Sequence, residues 1–180
     1  PIDFHWSIVH DDYSKIDYNS VIPLIKKYFS PSSKVKEIIT YLLKKYNINA
    51  YNTIAVYYRG TDKCKELNLA PYDLFYQKLI EIIKEENSNI NILLQSDDSN
   101  FITFMTNKNL PNLIIINENK SSTSTDAGIH LSHDRTTNYN DMFYFLATVI
   151  IISTCKCVIL SSGNVSLWVA LYRQNSKNLY

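Results

Sequence analysis

The chain has 180 residues, 46% of them apolar, enough for one well-buried core at the usual ~100–200 residues per domain. Eighteen Lys and Arg against 17 Asp and Glu leave a net charge of +1, so there is no broad electrostatic footprint and no nucleic-acid partner is expected. The longest nearly unbroken apolar run, Met142 to Ile152, falls far short of the ~18–20 residues that cross a bilayer, and no membrane span is expected in this segment.

The sequence opens at Pro1 rather than methionine and carries no basic leader, which fits a piece of a longer protein and leaves cytoplasmic and secretory-lumen locations both open. Cys64, Cys155 and Cys157 are too few for a disulfide scaffold, and Cys155 and Cys157 sit beside an apolar run, so reduced, buried thiols are expected. Glycine occurs only three times, which makes each one informative.

The first residues, among them His5, Trp6, His10 and Asp11, show no period. From Asn19 to Phe29 a short helical pattern runs into Ser30-Pro31, where the serine suits a cap and the proline the first turn of a second helix. There Val35, Ile38, Ile39, Leu42, Leu43 and Tyr46 recur on one helical face with lysines opposite, the clearest amphipathic helix of the chain. Residues 1–50 are read as a helical lead-in packing on a domain at 51–180.

Thr53 to Tyr58 is a short apolar, β-rich run suited to a strand covered on both faces. A helix from Pro71, with Tyr72, Phe75, Tyr76, Leu79, Ile80 and Ile83 at helical spacing, follows it. Then come a strand at Ile90 to Gln95, a short helix at Ser99 to Asn107 and a strand at Asn112 to Asn117. Glu118 to Asn138 is polar and aperiodic, long for an idle connection. Tyr139 to Thr154 reads as a buried helix, Cys157 to Leu160 as a strand, Asn164 to Arg173 as a closing helix, and Asn178 to Tyr180 as the start of a fifth strand. This alternation predicts an α/β fold, a Rossmann-like open parallel sheet with helices on both faces.

Such sheets bind ligands outside the carboxyl ends of their strands. The residues just past the strands are polar: Arg59-Gly60-Thr61-Asp62-Lys63, Ser96-Asp97-Asp98 and Ser161-Ser162-Gly163-Asn164. The last group opens a helix, where N–H groups and the positive dipole end favour an anion. Arg59 suits phosphate oxygens, and a carboxylate such as Asp98 suits the paired N–H groups of guanine, which together sketch a nucleotide diphosphate site. Helix caps and a structural ion pair are the competing account of the same residues.

At these positions the chain resembles fucosyltransferases of the GT-B architecture, the core α-1,6-fucosyltransferases and nodulation fucosyltransferases. TIAVYYRGTDK (Thr53 to Lys63) is similar to their strand ending in His-x-Arg-Arg-x-Asp, ILLQSDD to the strand ending in Thr-Asp-Asp, and CVILSSGNVSLW to the strand ending in Ser-Ser before the last helix. The resemblance implies a donor-binding lobe for GDP-fucose, with Arg59 on the β-phosphate, Asp98 and its neighbour Asp97 at the guanine, and Ser161, Ser162 and Gly163 around the diphosphate. It implies Glu66 as acceptor-side base with Asp62 and Lys63 nearby, a glycan or protein acceptor, an upstream lobe of the same chain, transfer with inversion, and no cofactor or metal. Tyr57 stands where the family has histidine and Gly60 where it has a second arginine, so two donors are missing.

His130-x-x-His133-Asp134 lacks the helical frame and third ligand of a zinc site and reads better as a loop that closes over a nucleotide or packs on another lobe. Cys155-x-Cys157 lacks a second ligand pair, and Ser162 lacks the Gly-x-Ser-x-Gly elbow of a hydrolase. The alternative to an enzyme is a noncatalytic nucleotide-binding or interaction domain, for which the 14 tyrosines offer an interface.

Overall fold

Every residue of Thr53–Tyr58 (β1) is buried, which a strand achieves only with neighbours at both edges and helices on both faces. The computed structural model describes residues 12–61, 68–86, 89–123 and 135–180, and in it β1 lies inside a four-stranded parallel sheet. Asn91–Ser96 (β2) pairs with one edge of β1, Leu113–Ile115 (β3) lies beyond β2, and Cys157–Leu160 (β4) pairs with the other edge, giving the order β3-β2-β1-β4. The expected fifth strand is a single parallel bridge between Val158 and Leu179, in which Tyr180 N–H donates to Val158 O at 2.9 Å. This is a Rossmann-like α/β fold, as the alternation of apolar runs predicts.

The helices are Tyr18–Tyr28 (α1), Ser33–Lys45 (α2), Tyr72–Glu85 (α3), Ser99–Thr106 (α4), Arg135–Thr154 (α5) and Asn164–Arg173 (α6). The cap of α2 is Ser32 rather than Ser30: its hydroxyl accepts the Val35 N–H at 3.4 Å, and Pro31 precedes the cap instead of occupying the first turn. Helix α5 starts earlier than Tyr139, because polar residues Arg135 to Asn138 extend a helix whose apolar period begins only later. Strand β3 is shorter than expected, since Asn112 takes a left-handed φ of 51° at its threshold.

Strand alternation divides the core into two layers. Ile54, Val56, Tyr58, Ile92 and Leu94 face α3 and α4, whereas Ala55, Tyr57, Leu93 and Val158 face α2, α5 and α6. In the first layer Tyr58 stacks on Phe101 at 4.5 Å and meets the rings of Tyr72 and Phe75 edge-on at 5.1 Å; such pairs add about 0.5–1.5 kcal/mol each beyond their burial. The lead-in helices join the second layer: α2 packs on α5, and α1 on α6.

Two polar clamps hold the second layer. Glu118, past β3, accepts from Lys45 Nζ at 2.6 Å and Tyr46 Oη at 2.7 Å, tying α2 to the sheet. Arg173 donates to the carbonyls of Ser153 at 3.1 Å, Cys155 at 2.6 Å and Lys156 at 3.0 Å, satisfying groups that the end of α5 leaves orphaned. Among the described residues no helix is long and apolar enough to cross a membrane.

Candidate functional site

With the order β3-β2-β1-β4, the chain leaves β1 toward one side of the sheet and returns to β4 on the other, so a crevice opens at the carboxyl ends of these two strands. Arg59, the first residue past β1, donates its N–H to Ser161 Oγ at 3.0 Å, and Ser161 N–H donates to Tyr57 O at 3.1 Å. The two strand ends are stitched together at the mouth of the crevice.

Arg59 Nε lies 3.4 Å from Asp97 Oδ2, with the Arg59 side chain 32% exposed. Asp97 also accepts from Gly60 N–H at 2.7 Å and from Thr61 Oγ1 at 2.7 Å, so this carboxylate shapes the loop after β1 and aims the guanidinium. Ser162 and Gly163 lead into α6. Gly163, the cap residue of α6, has φ 149° and ψ −174°, a region that only glycine enters cheaply, and as a glycine it supplies no side-chain cap. Tyr57, Arg59 and residues 161–166 enclose a cavity of about 200 Å³. The Tyr13 hydroxyl, from the lead-in, lies buried beside Gly163, Ser166 and Ser162, and burial pushes its phenol pKa up.

A second cavity of about 320 Å³ opens between the ends of β1 and β2 and helix α5. Tyr57 and Arg59 line both spaces. Gln95, Asn119 and Thr148 supply polar atoms here, Phe145, Val149 and Ile152 supply apolar wall, and the Lys120–Asp141 ion pair (2.8 Å) lies along its lining.

Asp98 is placed differently. Its Oδ1 accepts the Asn100 N–H at 2.9 Å as the cap of α4, its Oδ2 accepts the Tyr72 hydroxyl, and it lines neither cavity. Burial and then the Asp98 carboxylate raise the Tyr72 phenol pKa. Gly60 packs against this group: a Cβ there would sit 2.6 Å from Asp98 Oδ2 and 2.7 Å from Asp98 Cβ, so the second arginine of the sequence pattern has no room.

Of the residues singled out from the sequence, Tyr57, Arg59, Asp97, Ser161, Ser162 and Gly163 come together at the strand ends. Asp62, Lys63 and Glu66 lie outside the described residues, as do His130, His133 and Asp134. Cys155 and Cys157 are buried free thiols, and burial pushes Cys155 up to about 12, which leaves it unreactive at neutral pH. Sequence reasoning missed Gln95, Asn119, Thr148 and Tyr13. The signal for Gln95 was present: it is a long polar side chain directly after the apolar run Ile92–Leu94 of a strand buried on both faces.

No protein-family model matches the chain, and no curated protein matches it either. Comparison with solved structures shows a shared fold. The NodZ α-1,6-fucosyltransferase, in a crystal structure soaked with GDP-fucose, matches with a TM-score of 0.50 and 13% identity. The match covers 79% of this chain and 42% of that one, so this chain spans less than half the length of that structure.

Proposed function

We propose that the chain is the donor-binding lobe of a glycosyltransferase that takes fucose from GDP-fucose and passes it, with inversion, to a glycan or protein acceptor. The observation that carries this reading is the meeting of Arg59, Ser161, Ser162 and the start of α6 around one cavity at the sheet's switch point. Those groups suit a diphosphate: the guanidinium offers a fork of donors, and the first turn of α6 offers N–H groups with the dipole behind them. In an inverting transfer, the sugar carbon gains oxocarbenium character while negative charge grows on the departing diphosphate. One preorganised donor aimed at such charge is worth roughly 3 kcal/mol of barrier. No metal is needed where Arg59 and α6 carry that charge. Glu66 is proposed as the base that takes the acceptor's proton, with Asp62 and Lys63 in support and an upstream lobe completing the acceptor face.

A second reading, a noncatalytic nucleotide-binding domain, draws support from Gly60, whose packing against Asp98 leaves one arginine where the resembling enzymes have two. Calorimetric titration with GDP in metal-chelating buffer tests the shared part. GDP binding that Arg59→Ala weakens at least tenfold is the expected result; a folded protein that binds no GDP would sink both readings, and GDP binding that survives the loss of Arg59 would sink the catalytic one. Turnover of GDP-fucose then separates them.

A further inference from the structure

Gln95 and Asn119, which both line the larger cavity, leave two buried hydrogen-bonding atoms without partners among the described residues. Asn119 Nδ2 donates to Gln95 Oε1 at 2.9 Å and to Thr148 Oγ1 at 2.8 Å, while Gln95 Nε2 and Asn119 Oδ1 are buried and have no partner among the described residues. Gln95 is only 4% exposed. Leaving a buried amide donor and a buried carbonyl acceptor unmet is costly, so such atoms mark a place where something else supplies the partners. Turning both amides over together preserves their mutual bond and again leaves one donor and one acceptor, so the conclusion does not depend on which way they point.

We propose that this cavity receives the nucleobase of the bound nucleotide, with the Gln95–Asn119 pair reading its hydrogen-bonding edge; the proposal rests on the diphosphate reading above. A nucleobase is a flat ring with apolar faces and an edge that carries a donor and an acceptor side by side. The cavity has the matching form: apolar Phe145, Val149 and Ile152 along the wall, with the amide-bearing Gln95 and Asn119 among its polar lining. Its volume of about 320 Å³ lies at the small end of ligand pockets, which run from roughly 300 Å³ upward. It shares Tyr57 and Arg59 with the cavity at the start of α6, so one nucleoside diphosphate spans the two, its base under α5 and its phosphates at Ser161 and Ser162. Register agrees, because Tyr57 and Gln95 are direct partners across β1 and β2 and share the face beneath α5. Asp98 then serves as the cap of α4, not as the reader of the base.

The test is calorimetric titration of the 180-residue chain with GDP, UDP and ADP, and with inorganic pyrophosphate as a probe that has no base. At least one nucleotide is expected to bind tenfold or more tightly than pyrophosphate, and Gln95→Met, which keeps length and removes both polar atoms, is expected to erase that advantage while leaving pyrophosphate affinity unchanged in a protein that still melts cooperatively. Arg59-dependent nucleotide binding that Gln95→Met leaves intact would overturn the base assignment and spare the diphosphate site. Binding of neither nucleotide nor pyrophosphate by folded protein would overturn both. Should the variant not fold, the side-chain amide resonances of Gln95 and Asn119 in the unaltered protein decide: they shift with nucleotide and not with pyrophosphate, or the proposal is wrong.

Discussion

Gly60 shows how one position can be constrained twice. Its N–H is bound by Asp97, and the space where a side chain would begin is filled by Asp98 and by the Tyr58 ring, whose Cε1 lies 2.8 Å from the Cβ position. Asp98 cannot easily retreat, because the Tyr72 hydroxyl and the Asn100 N–H hold its two oxygens. Gly60→Ala is therefore expected to destabilise the fold by about 1–3 kcal/mol, the range for overpacking a filled site, and urea denaturation reads it directly. An unchanged midpoint would mean that the loop after β1 yields. The sequence displayed glycine in place of arginine at this position, but the reason lies in a contact between two strand ends 37 or more residues apart, which no local pattern carries.

At the scale of one element, α6 combines a start open to ligand with an end that is fully engaged. Gly163 turns the chain into the helix at φ 149°, while nothing lies within 4 Å of its Cβ position, so the cost of a side chain there is backbone strain alone. Gly163→Ala is expected to cost about 1–3 kcal/mol of stability, or to relax the turn and move the first N–H groups of α6 away from the crevice. Chemical denaturation registers the first outcome. The second appears as weakened GDP or pyrophosphate binding at full stability, and a variant that matches the parent in both would show that the turn's conformation is not required. Ser-Ser-Gly was readable as a helix start from composition, whereas the glycine's unusual φ was not, because it is set by where β4 must end relative to Arg59. Gln95 and Asn119 escaped for a similar reason: one lies within a strand and the other in a polar stretch, and only folding brings their amides to 2.9 Å.

Across the whole molecule, the sheet and its covering helices were legible because buried parallel strands and amphipathic helices write distinct periods into the chain. What periodicity does not carry is the coupling of the lead-in to the sheet through Glu118, a carboxylate in a polar stretch. Burial tends to raise its pKa, but hydrogen bonds from Lys45 and Tyr46 outweigh that and hold it below the ordinary glutamate value of 4.5. A carboxyl whose folded pKa is depressed contributes stability that is fully present above its unfolded value and disappears as pH falls through the folded one. Glu118→Gln should thus cost about 1 kcal/mol near neutral pH, a modest figure because Lys45 is substantially exposed and screened by solvent. The gap between variant and parent should close as the medium is acidified below 4.5, since the parent's carboxyl is then neutral too. Thermal melts of both proteins across this interval measure it. A gap that stays constant into strong acid would show that Glu118 holds α2 by shape and not by charge.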